Sequence, residues 1–359
     1  MKQYKVAIIG QGRSGRDIHG AFFKSASCAD RFQIVAVADK LADRRERAVK
    51  EYGCKVFDDY TEFFAIKDEI DFVVNSTPSH LHYPVTKDLL EHGFNVICEK
   101  PAARHPSEVV DLIETAKNNN VLYNVFQQSR FTPYFMKIKE IIASGVLGRI
   151  VEIDVQFNGF ARRWDWQTLQ MFNGGSLLNT GPHPVDQALN LLNYDLDKTP
   201  QVFCKMDRLN TFGDAEDYCK LILTAPDRPL IDVTISSCDA YPLFTYKINA
   251  EKGGLKASTT DIAWKYYKSE ETAEQHLIKE PLCKPDGTPA YCGEKLTLHE
   301  ESWNVKDGGA FDFAVDKYYT MIYDYLTDGL EMAVNPNQVR QQIAVMEECH
   351  RQNPLSKLF

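Results

Sequence analysis

Over the first third of the chain, short stretches of β-branched and aromatic residues recur at 4–9, 33–38, 72–76, 95–98 and 122–125, with helix-like stretches between them. Strands that alternate with helices predict right-handed βαβ crossovers and a parallel sheet. Helix punctuation agrees: Pro84 suits the first turn of a helix that stops at Gly93, and Pro106 opens another that ends in Asn118-Asn119-Asn120. After about Gly148 the period changes. Residues 150–157 alternate strictly, with Val151, Ile153, Val155 and Phe157 on one face and Glu152, Asp154 and Gln156 on the other, the mark of a strand with one wet face. Similar strands at 218–224, 229–236 and 245–250, separated by turn residues such as Ala225-Pro226-Asp227 and Gly253-Gly254, predict an antiparallel meander, and a helix over 337–351 closes the chain. The expected fold class is α/β, with an N-terminal doubly wound parallel sheet of Rossmann type at 1–124. A C-terminal α+β domain with a large, mostly antiparallel open sheet is expected at 125–359.

The whole chain has 359 residues, 44% hydrophobic and 25% charged, enough for two cores. Lysine and arginine total 41 against 50 acidic residues, a net charge of −9, which is the wrong sign for a protein that tracks nucleic-acid phosphates. The first residues read as a strand and not a secretory signal, and no apolar run approaches the roughly 18 residues that span a bilayer. Nine cysteines without a C-x-x-C pair read as reduced thiols of a cytoplasmic protein, with neither a disulfide framework nor a metal site expected.

The first strand runs into Gly10-Gln11-Gly12-Arg13-Ser14-Gly15, a G-x-G-x-x-G turn before a helix. Such glycines permit a tight turn and let backbone N–H groups approach a pyrophosphate at the positive helix end. Gly10, Gly12, Arg13, Ser14 and Gly15 are therefore candidate dinucleotide contacts. The second strand ends in Asp39, where a carboxylate can accept hydrogen bonds from the adenosine ribose and repel a 2′-phosphate. NAD is expected over NADP, although Lys40 and Arg44 are cations that could take a 2′-phosphate if Asp39 turned away.

Two later segments join that turn. One is Ser76-Thr77-Pro78-Ser79-His80-Leu81-His82 followed by Val96-Ile97-Cys98-Glu99-Lys100-Pro101; the other runs from Gly174-Gly175-Ser176 through Asn179-Thr180-Gly181-Pro182-His183 to Asp186. Together, and with Arg130-Phe131 between them, they resemble the Gfo/Idh/MocA oxidoreductases (glucose–fructose oxidoreductase, inositol dehydrogenase and relatives). The resemblance implies that Thr77, Pro78, His82, Glu99 and Lys100 lie at the cofactor, that Lys100 hydrogen-bonds the reacting hydroxyl, and that the bond before Pro101 is often cis.

The residues support a chemical reading of their own. Lys100 follows a parallel strand, at the sheet edge where ligands bind. His183 opens a helix, and Asp186 one turn on could orient or charge-stabilise its ring. Oxidising a carbinol needs a proton acceptor while hydride leaves for the nicotinamide. Histidine, near 6.5, qualifies unperturbed, whereas lysine must be depressed; His183 is thus expected as base and Lys100 as the polarising group, with the roles exchanged as the other option. Asn179 stands where many family members carry aspartate, and the same amide occurs in relatives that oxidise a sugar C3 hydroxyl.

Arg162-Arg163-Trp164-Asp165-Trp166 is expected at the same cleft, with Arg162, Arg163, Trp164 and Trp166 joining Lys100, Asn179, His183 and Asp186 as candidate substrate contacts. The expected function is NAD-dependent oxidation of a secondary hydroxyl, C3 favoured, of a sugar, glycoside or cyclitol. An NAD-recycling glycosidase or epimerase, or a non-enzymatic sugar or nucleotide sensor, are the alternatives. A homodimer or homotetramer is implied by the resemblance, on the reasoning that the dry face of the second sheet would otherwise leave an apolar surface. Neither nucleic acid nor membrane is expected as a partner.

Overall fold

A computed structural model describes residues 2–305 and 309–359. Strands β1 (Tyr4–Ile9), β2 (Phe32–Ala38), β3 (Lys55–Phe57), β4 (Phe72–Asn75), β5 (Val96–Cys98) and β6 (Tyr123–Val125) form one parallel sheet in the order β3-β2-β1-β4-β5-β6. Its central strands read as unbroken apolar runs because both faces are covered; Val6, Ile8, Val73, Val74 and Ile97 are all fully buried. Strand order reverses between β1 and β4, so a crevice opens outside their carboxyl ends, the place where open α/β sheets bind ligands. Helices His82–Glu91 and Pro106–Asn118 cover one face. The other face is covered by the helical segments Arg13–Gly20 and Ala21–Lys24 and by Ala310–Asp328, a helix from far along the chain. There Tyr319 packs on Phe22 and Phe23 with ring centroids 5.0 and 4.6 Å away, contacts worth about 0.5–1.5 kcal/mol each beyond area burial.

The second sheet has eight strands in the order β16-β13-β12-β11-β7-β10-β9-β8. They are β7 (Ile150–Asn158), β8 (Gln201–Asp207), β9 (Tyr218–Thr224), β10 (Leu230–Ser236), β11 (Tyr246–Ala250), β12 (Gly253–Ala257), β13 (Asp261–Tyr266) and β16 (His299–Asn304), with a small hairpin, β14 (Leu282–Cys283) and β15 (Pro289–Ala290), between the last two. All neighbours are antiparallel except β7 and β10, which run parallel with Ile153 beside Ile231 and Val155 beside Val233. The simple meander expected from the turn residues is thus broken at its centre, because the chain leaves β7 through the cleft loops and returns by way of β8 and β9.

The alternation in β7 sorts the two faces as its pattern required at Ile153 and Val155, both buried, but leaves Val151 at the strand's start 46% exposed. The expectation of an apolar sheet face awaiting another subunit is corrected. Helices Pro133–Ala143, Pro182–Leu192 and Pro336–Gln352 of the same chain cover the apolar face. The opposite face is mostly polar, with Phe203 exposed on β8, and carries its own pairs, Lys220–Asp232 at 2.7 Å, Asn249–Glu152 at 2.7 Å and Lys265–Glu300 at 3.1 Å. Among the described residues no helix is long and apolar enough to cross a membrane, and all nine cysteines are free thiols.

One buried ion pair fixes the helix that matters most. Arg130 donates through Nε and Nη2 to both Asp186 oxygens at 2.6 Å, and its Nη1 reaches the Ala333 carbonyl at 2.8 Å. Gln187 Nε2 donates to the Ser129 carbonyl at 2.8 Å and Gln342 Nε2 to that of Pro182 at 2.5 Å. The Pro182–Leu192 helix is therefore tied to the turn after β6 and to the closing helix, which sets where His183 stands.

Candidate active site

The glycine turn divides its labour. Gly10 has φ +87°, and a Cβ there would come within 2.6 Å of the Ser76 carbonyl; one on Gly15 would meet the Gly10 carbonyl at 1.8 Å. At Gly12 the nearest atom is Arg44 Nη1 at 3.8 Å, so this position is left clear for a ligand. At the end of β2, Asp39 accepts the Gln11 N–H at 2.7 Å and the Leu41 N–H at 2.9 Å, with Arg44 Nη1 3.4 Å away. A cleared glycine cradle beside a pinned carboxylate fits the adenosine and pyrophosphate end of NAD. Arg44 lies beside both Gly12 and Asp39. Lys40, expected there too, is instead paired with Asp59 at 2.5 Å, an anion fixed as the cap of the next helical turn.

Behind the turn lies a closely bonded group. Glu99, expected as a cofactor contact, is buried and accepts hydrogen bonds from Ser14 Oγ, from His19 Nε2 at 3.1 Å and from the Lys100 N–H at 3.0 Å. Burial alone would raise its carboxyl, but the His19 bond and charge, the Lys100 charge and the Ser14 bond outweigh it and hold it well below the usual carboxylate range. His82 is a brace: buried between two loops, its Nδ1 lies 2.7 Å from the Pro101 carbonyl and its Nε2 2.8 Å from that of Thr77. Thr77 Oγ1 is itself bonded to Asn75 at 2.8 Å, and Pro78 leads into the short turn Ser79–Leu81.

Lys100 precedes a cis bond to Pro101 and crosses to the second half of the chain, donating from Nζ to the main-chain oxygen of Asn179 at 2.9 Å. Burial lowers its proton affinity, Glu99 opposes that, and the Arg13 charge adds to it. The Asn179 side chain points elsewhere, with Nδ2 3.4 Å from Gln167 Oε1.

His183 sits four residues further on with Nδ1 enclosed and without a partner. Burial, then the Lys100 charge, push its ring down to about 3, so the ordinary histidine value that favoured it as base does not apply here. The expected Asp186–His183 pairing is also corrected: both Asp186 oxygens are taken by Arg130, and the carboxylate is buried in that ion pair.

Of the loop residues expected at the cleft, Trp164 is 76% exposed and Arg162 stands in solvent. Arg163 is bound to Asp165 at 3.0 and 2.8 Å and to Gln167 Oε1, so its charge is internally satisfied. Trp166 lies edge-on to Phe172, whose ring is in turn 5.0 Å from that of His80. The N-terminal and C-terminal halves thus meet at His80–Phe172 as well as at Lys100–Asn179.

Gln167, Phe172, His80 and His19 escaped the sequence reading, as did Glu216. Buried Glu216 accepts the Leu177 N–H at 2.8 Å and fills the space a Gly175 Cβ would need; burial pushes its carboxyl up to about 7. A signal existed for His80, which lies inside the Thr77–His82 motif, and for Phe172, just before Gly174-Gly175. None marked Glu216.

Comparison with known proteins agrees with this geometry. The model of an oxidoreductase family with an NAD-binding Rossmann fold matches residues 4–127, and that of the GFO/IDH/MocA C-terminal domain matches 135–256. The chain is 28% identical over 331 residues to the Bacillus subtilis scyllo-inositol 2-dehydrogenase (NADP(+)) IolW, covering 89% of this chain and 90% of that one. It is 28% identical over 198 residues to an Escherichia coli D-glucoside 3-dehydrogenase, covering 53% of this chain and 54% of the enzyme, so the match spans about half the length of some curated relatives. The solved structure of the probable oxidoreductase yhhX superposes with a TM-score of 0.79 over 98% of each chain at 19% identity, a likeness of fold.

Proposed function

The chain belongs to the GFO/IDH/MocA oxidoreductase family, binds NAD through its Rossmann half, and on that premise we propose that it oxidises a secondary hydroxyl of a sugar, glycoside or cyclitol, with the C3 hydroxyl of a glycoside favoured. The observation that carries this reading is the contact between Lys100 and Asn179, which sets an ammonium from the sheet edge against the segment that bears His183, next to the glycine cradle.

Gly10, Gly12, Ser14, Gly15 and Asp39 would hold NAD, which when bound supplies a hydride acceptor. The protein's part is the hydroxyl. Lys100 donates to the substrate oxygen and holds it in place. His183 takes the proton: its Nδ1 is enclosed, leaving Nε2 as the acceptor, and the Lys100 charge keeps the ring neutral. As the C–H bond weakens, the oxygen draws on the Lys100 hydrogen bond, which offsets the ammonium charge and lifts His183 toward a range where it can accept. Gln167 and the His80–Phe172–Trp166 wall would bound the sugar, with Arg162 and Trp164 at its outer rim.

The substrate preference rests on two supports, the Asn179 amide and the similarity to an enzyme that acts at C3 of a D-glucoside. A homodimer or homotetramer, meeting through the ion-paired sheet face, and a reducing cytoplasmic setting suited to nine free thiols complete the proposal. The test is purified protein with NAD or NADP against inositols, free sugars and glycosides, following the absorbance of reduced nicotinamide at about 1 mM substrate, the upper end of the usual KM range. Reduction by a glycoside above the inositols supports the C3 reading. No reduction by any polyol defeats it.

A further inference from the structure

His19 lies in the helical segment just after the glycine turn, fully buried, with its Nε2 3.1 Å from Glu99 Oε1 and its Nδ1 2.7 Å from the Tyr319 hydroxyl. Phe126 stands edge-on at 4.5 Å and the Tyr319 ring at 6.0 Å, so the imidazole has little freedom to turn. The same Glu99 that accepts from His19 also accepts from Ser14 Oγ in the phosphate turn and from the Lys100 N–H. We propose that His19 is a positioning residue which aims Glu99 and, through it, holds the phosphate turn and Lys100 in one working arrangement.

The bonding pattern gives the mechanism. A buried carboxylate is costly unless its oxygens are filled by donors. Glu99 has three, and His19 is the one anchored from behind: its Nε2 carries the proton that faces the carboxylate, and its Nδ1 is bonded to the hydroxyl of Tyr319, on the returning helix Ala310–Asp328. Without that donor the Glu99 carboxylate stays ionised but is free to turn from its place, and Lys100 loses part of the neighbour that keeps it charged. The other groups acting on Lys100 are Glu99 and Arg13, while the Lys100 charge acts in turn on His183 and His82. Glu99 also acts on Tyr318 and Tyr319. Of the three donors to Glu99, His19 alone lies outside both the glycine turn and the Lys100 main chain. The role rests on the dehydrogenase reading only in that Lys100 is placed there at the substrate.

The experiment reads Lys100 itself, without turnover. The pH dependence of Lys100 acylation by acetic anhydride, measured by peptide mass spectrometry, is compared in wild type, His19→Leu and His19→Gln. Leucine removes the donor, whereas the glutamine amide can restore it. The Lys100 midpoint is expected about one unit lower in H19L and at the wild-type position in H19Q, with NAD affinity, by fluorescence titration, several-fold weaker in H19L alone. Should H19L fail to fold, Tyr319→Phe, which keeps every carbon, is expected to move Lys100 in the same direction. An unmoved Lys100 midpoint in a folded H19L, or in Y319F where H19L does not fold, overturns the proposal, as does a glutamine variant that behaves like leucine. Because labelling needs no substrate, a wild-type protein that oxidises no polyol defeats the dehydrogenase reading and leaves this comparison to decide the role of His19.

Discussion

The Lys100 ammonium is held by the main-chain oxygen of Asn179, at 2.9 Å, and not by its side chain. The residue type at 179 therefore leaves that bond in place and acts through charge. Asn179→Ala, which keeps the carbonyl, is expected to leave the basic limb of the pH–kcat profile where it is. Asn179→Asp adds a negative charge to the residue whose main chain Lys100 touches and is expected to move that limb up, by about one unit at most. Steady-state rates from pH 6 to 10 (roughly spanning lysine's range) check both, and an unmoved limb in the aspartate variant takes Lys100 off the proton path.

Asp186 serves stability, not the proton acceptor. With Arg130 left buried and unpaired, Asp186→Ala is expected to cost about 3–5 kcal/mol in urea unfolding. In whatever fraction remains folded, the pH dependence of kcat should keep its wild-type shape, since neither Asp186 oxygen faces His183. A displaced acid limb would restore the pairing that the geometry denies.

Glu216 gives the fold a pH dependence whose sign is fixed. Its carboxyl is raised from 4.5 to about 7, so the folded chain binds this proton more tightly than the unfolded one. Burial of Glu216 therefore carries no ionisation penalty below about 4.5, a growing one up to 7, and the full penalty above, roughly 3 kcal/mol at 1.36 per unit. Glu216→Gln, which can still accept the Leu177 N–H, should melt higher than wild type at pH 8 and show no such advantage at pH 4.5. Parallel melting curves at both pH values would contradict this.

Cofactor choice should divide between Asp39 and Arg44. Asp39→Asn is expected to weaken NAD by roughly tenfold, the loss of a charge-assisted hydrogen bond, while relieving the repulsion of a 2′-phosphate. Arg44→Ala should depress whatever use the enzyme makes of NADP. The ratio of kcat/KM for the two cofactors reports both changes, and an unaltered ratio in each variant would remove them from the selection.

Much of this was legible in the chain. Period and punctuation exposed β1, β2, β4, β5 and β6, and the glycine turn followed by Asp39 located the nucleotide crevice, because local backbone demands and burial act on contiguous residues. The partners of those residues were not legible. Asp186 lies one helical turn from His183 and looked like its orienter, but Arg130, 56 positions earlier in sequence, claims it. Lys40 and Arg163 likewise met local anions before any ligand. The helix Ala310–Asp328 went unread, and with it Tyr319, whose contact with His19 spans 300 positions. The parallel pairing of β7 with β10 is a matter of topology that no alternation pattern records.

The most direct test of the account is NAD reduction, with the best substrate from the polyol panel, by wild type, Lys100→Ala and His183→Ala at pH 8. Each variant is expected to bind NAD within about threefold of wild type and to lose roughly 10²–10⁴-fold in kcat/KM, the size of a positioned proton-transfer group. Either variant retaining wild-type kcat/KM would contradict the central claim that these two residues carry the reaction.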